Sequence, residues 1–137
     1  MDYTLQAEPE HRVVLVTLGK IITEAVALAA YSAVERFIAT QGPHAGITDL
    51  SGVEKLDVSA DFVWRLAAKP PMIPDGMQRI VVAPRTDIYG VSRRFQIMRD
   101  NRDNYLDVVH TLSEAFQLLG LTSPQFRTVA LVSGTSG

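Results

Sequence analysis

Two groups of side chains have the types and spacing from which chemistry could be built. The first lies in the stretch 47–60, Ile-Thr-Asp-Leu-Ser-Gly-Val-Glu-Lys-Leu-Asp-Val-Ser-Ala. There Asp49 and Ser51 stand where a short apolar run turns into a polar, glycine-containing loop. Asp57 and Ser59 stand where that loop reaches a helix start. Carboxylates and hydroxyls at such a junction accept backbone N–H groups, meet a partner's cation or, on a serine, take a phosphoryl group. The second group is Tyr89 with Arg85, Arg93, Arg94, Arg99 and Arg102, set against Asp87, Asp100 and Asp103. Arginine forks near a helix N-terminus suit phosphate or carboxylate, so this segment is a candidate anion site.

Each residue also has a plainer role. Asp57 or Ser59 caps the helix that follows, and Asp49 accepts loop amides such as those of Gly52 or Val53. The arginines make a solvated face with local ion pairs. On a helical wheel Arg93 lies with Tyr89 and Ile97, a stripe that equally suits a partner, while Arg94 lies beside Val91 and Met98 at the core edge. His11, His44 and His110 are dispersed, with no metal-spaced pair. No Gly-x-Ser-x-Gly, His-Glu-x-x-His, Walker loop or dinucleotide fingerprint occurs. No catalytic residue, cofactor or metal is therefore expected. An enzyme using Tyr89 and Arg93 on an anionic substrate stands as a third option behind two binding functions.

The bulk numbers bound these readings. The 137 residues, 47% apolar and 20% charged, make one ordinary soluble domain able to bury a core. Thirteen basic against fifteen acidic residues argue against a nucleic-acid or anionic-membrane binder. The absence of cysteine excludes disulfides and thiolate metal sites. No apolar run reaches the roughly 18 residues that span a bilayer, and the N-terminus lacks a signal-peptide layout. A cytoplasmic protein without membrane insertion is the expectation.

Alternating strands and helices must position the two groups. Residues 3–7 and 12–18 form a hairpin about Pro9-Glu10-His11, with the first strand at the sheet edge. A helix over 24–40, capped by Thr23, lays Val26, Ala30, Ala33, Val34 and Phe37 on the sheet and turns Leu28 and Tyr31 outward as a candidate self-association contact. Strand 44–50 follows, then a helix over 60–68 whose stripe is Phe62, Val63 and Leu66, stopped by Pro70-Pro71. Trp64 and the 70–74 loop line an apolar cavity or cover the sheet edge. Strand 77–83 precedes a helix over 88–101 with Ile88, Val91, Phe95 and Met98 inward. Strand 105–109 leads to the capping box Thr111-Leu112-Ser113-Glu114 and a last helix closed by Gly120. These elements make a single domain over 1–121. Residues 122–137 form an extension with an edge strand at 126–132, a second candidate for homodimer contact, and a mobile tail. The fold class is α/β: a mainly parallel four- to five-stranded sheet with an antiparallel N-terminal strand, covered by about four helices.

Asp49-Leu50-Ser51-Gly52-Val53, followed by Leu56-Asp57-Val58-Ser59-Ala60, resembles the STAS domains, the anti-sigma-factor antagonists and their relatives. Tyr89-Gly90-Val91-Ser92-Arg93 and Glu114-Ala115, three residues, Leu119-Gly120 look like the SpoIIAA-like branch, whose fold is grouped with CRAL-TRIO-type lipid carriers. The resemblance implies a non-enzymatic module of bacterial signalling or regulation that binds a protein partner through the 49–60 loop and the N-terminus of the 88–101 helix. Its site residues would be Asp49, Ser51, Asp57, Ser59, Tyr89, Arg93 and Arg94. The carrier kinship implies the alternative, a small apolar or amphiphilic ligand. One departure stands out: the family's switch serine is here Val58, which cannot be phosphorylated, leaving Ser59 as the nearby hydroxyl.

Overall fold

The computed structural model describes residues 2–69, 73, 77–99 and 106–132, with backbone only for Met98 and Arg99. The elements in order are β1 (Tyr3–Glu8), β2 (Val13–Leu18), β3 (Ile21–Thr23), α1 (Glu24–Gln41), β4 (Ala45–Asp49) and β5 (Lys55–Asp57). After these come α2 (Ala60–Ala68), β6 (Arg79–Val82), α3 (Thr86–Arg99), β7 (Leu106–Val109), α4 (Leu112–Leu118) and β8 (Arg127–Val132).

The apolar run of β2 has the composition of a strand covered on both faces, and it lies inside a six-stranded sheet ordered β7-β6-β4-β2-β1-β8. The β2–β4, β4–β6 and β6–β7 pairs are parallel, while β1 pairs antiparallel with both β2 and β8. Thus β1 is the one strand of this sheet running against the rest. The chain moves steadily from β2 through β4 and β6 to β7, so right-handed crossovers place α1, α2 and α3 on one face. The return from β7 to β8 runs the opposite way and lays α4 on the other face. Two cores result. Val14, Val16, Leu18, Ala30, Val34 and Ile88 belong to one. Val13, Leu15, Ile47, Ile80, Val82 and Ala115 belong to the other.

Local chemistry sets the ends of the helices. Thr23 caps α1 by accepting from Val26 N–H at 3.2 Å. Gly42, at φ 87°, ends α1 and returns its N–H to the Ile38 carbonyl at 2.9 Å. Arg12 reaches across to the carbonyls of Gln41 and Pro43, both at 3.0 Å, and fastens the hairpin turn to that helix end. Thr111 and Glu114 form the expected capping box, with Thr111 Oγ1 accepting from Glu114 N–H at 3.1 Å and donating to its carboxylate at 3.2 Å. Gly46 has a packing reason. A Cβ there would lie 2.6 Å from Ile73 Cδ1, and Ile73 is buried.

Several expectations change. The first strand is interior, because β8 pairs along it and becomes the edge. The polar loop after β4 contains β5, which pairs in parallel with β3 as a separate ribbon. Neither three-residue strand shows in the sequence, because so short a run has no periodicity to read. Tyr31 is buried rather than turned outward, with the Lys69 ammonium 5.6 Å from its ring centre. A wheel with only the sheet as its reference misses the neighbour at α1's flank, so the Leu28–Tyr31 outer pair does not exist. Pro70, Pro71, Met72, Pro74, Asp100, Arg102, Asp103, Tyr105 and the tail 133–137 lie outside the described residues. No described helix is long and apolar enough to cross a membrane.

Candidate functional site

The 49–60 stretch begins at a strand's carboxyl end, yet much of it is fastened to its own chain. Asp49 is buried and accepts both the backbone N–H of Ser51, at 2.9 Å, and the Ser51 hydroxyl. The expected donors, Gly52 and Val53, are not its partners. An Asx turn two residues on satisfies the carboxylate first, and Val53 N–H goes instead to the Leu50 carbonyl at 3.1 Å. The amides of Glu54 and Lys55 both donate to the Lys20 carbonyl, at 2.7 and 3.0 Å. Val53 is buried, while Ser51 and Gly52 remain exposed.

At the far end of the stretch, Ser59 is the cap of α2, accepting from Phe62 N–H at 3.0 Å. Asp57 does not cap it. Asp57 is exposed on β5, in register with Thr23, because ribbon pairing ends the strand there and sets the cap two residues later. The Ser59 hydroxyl and amide both donate to the Glu24 carboxylate at 3.2 Å, tying α2's start to that of α1. Val58 is half-buried and lines an apolar cavity. A hydroxyl there would enter a hydrocarbon wall, which gives the valine a physical reason.

The arginine group is dispersed by its own helix. Arg93 and Arg94 come more than a turn after the start of α3 at Thr86, so neither sits at its N-terminus. Both are exposed, Arg94 included, although the wheel places it at the core edge. Arg93 donates to the Gln96 side chain, which in turn donates to the Leu106 carbonyl of β7. Arg85 pairs with Asp87 at 3.3 Å, and both are exposed. The Asp87 carboxyl is held below its usual range, chiefly by the Ile88 amide and further by Arg85. Tyr89 is partly buried and stacks on His110, ring centres 4.3 Å apart and 8° from parallel. Among the described residues no hydrogen bond or ion pair joins Asp49, Ser51, Asp57 or Ser59 to Tyr89, Arg93 or Arg94. The structure does not assemble the seven into one site.

What it does assemble is a cavity of about 170 Å³ between the sheet and the first three helices. The sheet supplies Val16, Leu18, Thr48, Leu50, Arg79 and Val81 as its floor. Tyr31 closes it from α1, Phe62, Val63 and Leu66 from α2, Val91 and Phe95 from α3, and Leu56 and Val58 from the β5 segment. Thr48 and Val81 lie on interior strands but are only partly buried, whereas the adjacent Ile47, Ile80 and Val82, facing α4, are 0–1% exposed. Trp64, 63% exposed, takes no part in the cavity.

Arg79 is the residue that sequence reasoning missed. In Met-Gln-Arg-Ile-Val-Val-Ala it passes as the polar start of a strand, although period-two alternation puts it on the same face as Val81 and Ala83. It is 5% exposed, and its Nη1 atom is sealed from solvent. An arginine on the inward face of a buried strand was the available signal. Elsewhere, Glu8, Glu10 and His11 cluster closely enough to touch one ion. Glu8 is already engaged by the His11 amide at 2.6 Å, so the cluster reads as a fastened hairpin turn.

No family model, no curated protein and no solved structure matches this chain.

Proposed function

We propose that this chain is a non-enzymatic, STAS-like binding module of the cytoplasm that takes a small apolar or amphiphilic ligand into the cavity beneath α1, α2 and α3. The observation that carries the reading is the partial exposure of Thr48 and Val81, floor residues on interior strands that a fully packed helix layer would cover. Size narrows the ligand. An apolar cavity of about 150 Å³ holds benzene, whereas drug-sized ligands occupy about 300–1,000 Å³. A volume of about 170 Å³ therefore fits one ring or a short branched chain, and not a two-chain lipid. Thermal unfolding tests this with toluene as the probe. At tenfold excess over Kd it should stabilise by about 1.4 kcal/mol, raising Tm by about 4 °C. Ala27→Leu, which fills the cavity from α1, should abolish the shift. An unchanged Tm in the native chain refutes the reading.

A second reading, docking of a protein partner, is favoured by one arrangement. The segment whose Leu56 and Val58 line the cavity presents Asp57 and Ser59 outward. A partner reading that surface would meet a carboxylate and a helix start. Under this reading Asp57→Lys abolishes partner capture while toluene still binds, and capture that survives the charge reversal excludes the face.

A further inference from the structure

The sheet ends on a strand that is paired along one side. Among the described residues β8 pairs with β1 and with no other strand, so alternate main-chain N–H and C=O groups along its outer side lack a ladder partner. Edges of this kind are usually blunted by lysine, proline, a covering element or a bulge. β8 has neither lysine nor proline, and its Val129 and Leu131 are 47% and 64% exposed. A register shift opposite Leu5 and Gln6 breaks the ladder once, but Ala130, Leu131 and Val132 continue in regular pairing beyond it. Beside this edge lies an open groove of about 630 Å³. Leu5, Ala130 and Val132 form its floor, and Ala33 and Phe37 of α1 form its wall. A strand added along β8 would turn every second side chain toward that groove.

Charge says what such a strand must carry. Arg36 and Arg127 both line the groove and are exposed, and no Asp or Glu lines it with them. Neither guanidinium has an ion pair or hydrogen bond among the described residues. Arg127 lies in register with Ala7, which also lines the groove, so a carboxylate on an added strand would meet it as a cross-strand neighbour. A second copy of this chain cannot supply that carboxylate through the same edge, because no Asp or Glu follows Glu114. We propose that β8 docks an extended acidic segment of another protein, which adds a strand to the sheet, directs apolar side chains into the groove and sets carboxylates on Arg127 and Arg36. In this mode main-chain hydrogen bonds supply the affinity and alternate side chains supply the choice of partner. The site is separate from the cavity beneath α1, α2 and α3, since no residue lines both.

Fluorescence anisotropy of a labelled peptide with the full chain tests this. The probe is Glu-Thr-Val-Thr-Val-Thr-Glu, which puts its carboxylates and valines on one side of a strand running in either direction. Replacing its glutamates by glutamine should weaken binding about three- to tenfold at low salt, since exposed pairs contribute modestly, and added salt should erase that difference. Replacing its central threonine and the next valine by prolines removes a ladder donor whichever way the strand runs, and should abolish binding. Arg127→Glu, a change at an exposed position, should remove the preference for glutamate over glutamine. No binding at about 1 mM peptide overturns the proposal. Equal binding of the glutamate and glutamine peptides, or binding that survives the prolines, overturns it as well. A sedimenting dimer that Leu131→Lys dissociates also overturns it, since the edge then belongs to a second copy.

Discussion

The two faces of the sheet are built from the same strands yet are packed to different standards. On the α4 side, Ile47, Ile80, Val82 and Ala115 are at most 1% exposed, and one short helix suffices to close the core over them. On the other side three helices cover the sheet, and a cavity of about 170 Å³ remains beneath them. Helix number does not explain this, since the better-covered face has the hole. Side-chain choice does: Ala27 and Ala30 on α1, with Thr48 on the floor, leave volume that larger side chains would fill. Protein interiors normally exclude voids of this size. The contrast separates a face packed without voids from one that leaves volume unfilled.

The largest expected effect comes from cutting the same two methyl groups from neighbouring residues of β6. Val82→Ala on the closed face should cost about 2.5 kcal/mol, the transfer of two methylenes plus a new cavity. Val81→Ala on the open face should cost below about 1 kcal/mol, since its side chain already borders empty space and creates no new void. Urea denaturation of both variants measures the difference. Equal losses would mean that the faces are equally packed, and would remove the structural basis for a ligand site.

Much of this contrast was beyond reach of the sequence. Periodicity locates the six strands of the main sheet and three of the four helices closely, since Val13–Leu18, the Thr111–Glu114 box and the Thr23 cap each act through neighbours in the chain. It also gave the mixed sheet, with its antiparallel N-terminal strand. What failed depended on tertiary neighbours. Tyr31 was assigned to solvent because the wheel contains no α2, and β3 and β5 were missed because each is a strand only through the other. The candidate site failed for a related reason. Motif spacing points to Asp57 and Arg93, which are exposed, and away from Val58 and Arg79, which line the cavity. A void has no letter in the sequence.

The smallest effect expected is electrostatic, and it tests whether the closed face tolerates polarity only when satisfied. Alternation along β1 sets Glu8 on the side away from Leu5 and Ala7, at 1% exposure. Its carboxylate accepts the His11 amide at 2.6 Å and lies 3.2 Å from His11 Nδ1. That amide is the chief cause holding the carboxyl below its ordinary value of 4.5, against the opposing effect of burial. A carboxyl depressed in the folded state contributes stability above its unfolded value, and the contribution fades as pH falls through the folded one. Glu8→Gln should therefore be less stable than the native chain at pH 7 and at pH 5. The gap should narrow once the pH drops below about 4.5, where the unfolded chain's carboxyl takes up its proton, and close as the folded carboxyl is protonated at still lower pH. Urea titrations at pH 7, 5, 4 and 3 trace the gap. A gap that is constant with pH would assign Glu8's role to shape alone, whereas one that closes in acid shows that the closed face holds its carboxylate as a charge because the hairpin turn supplies the donors.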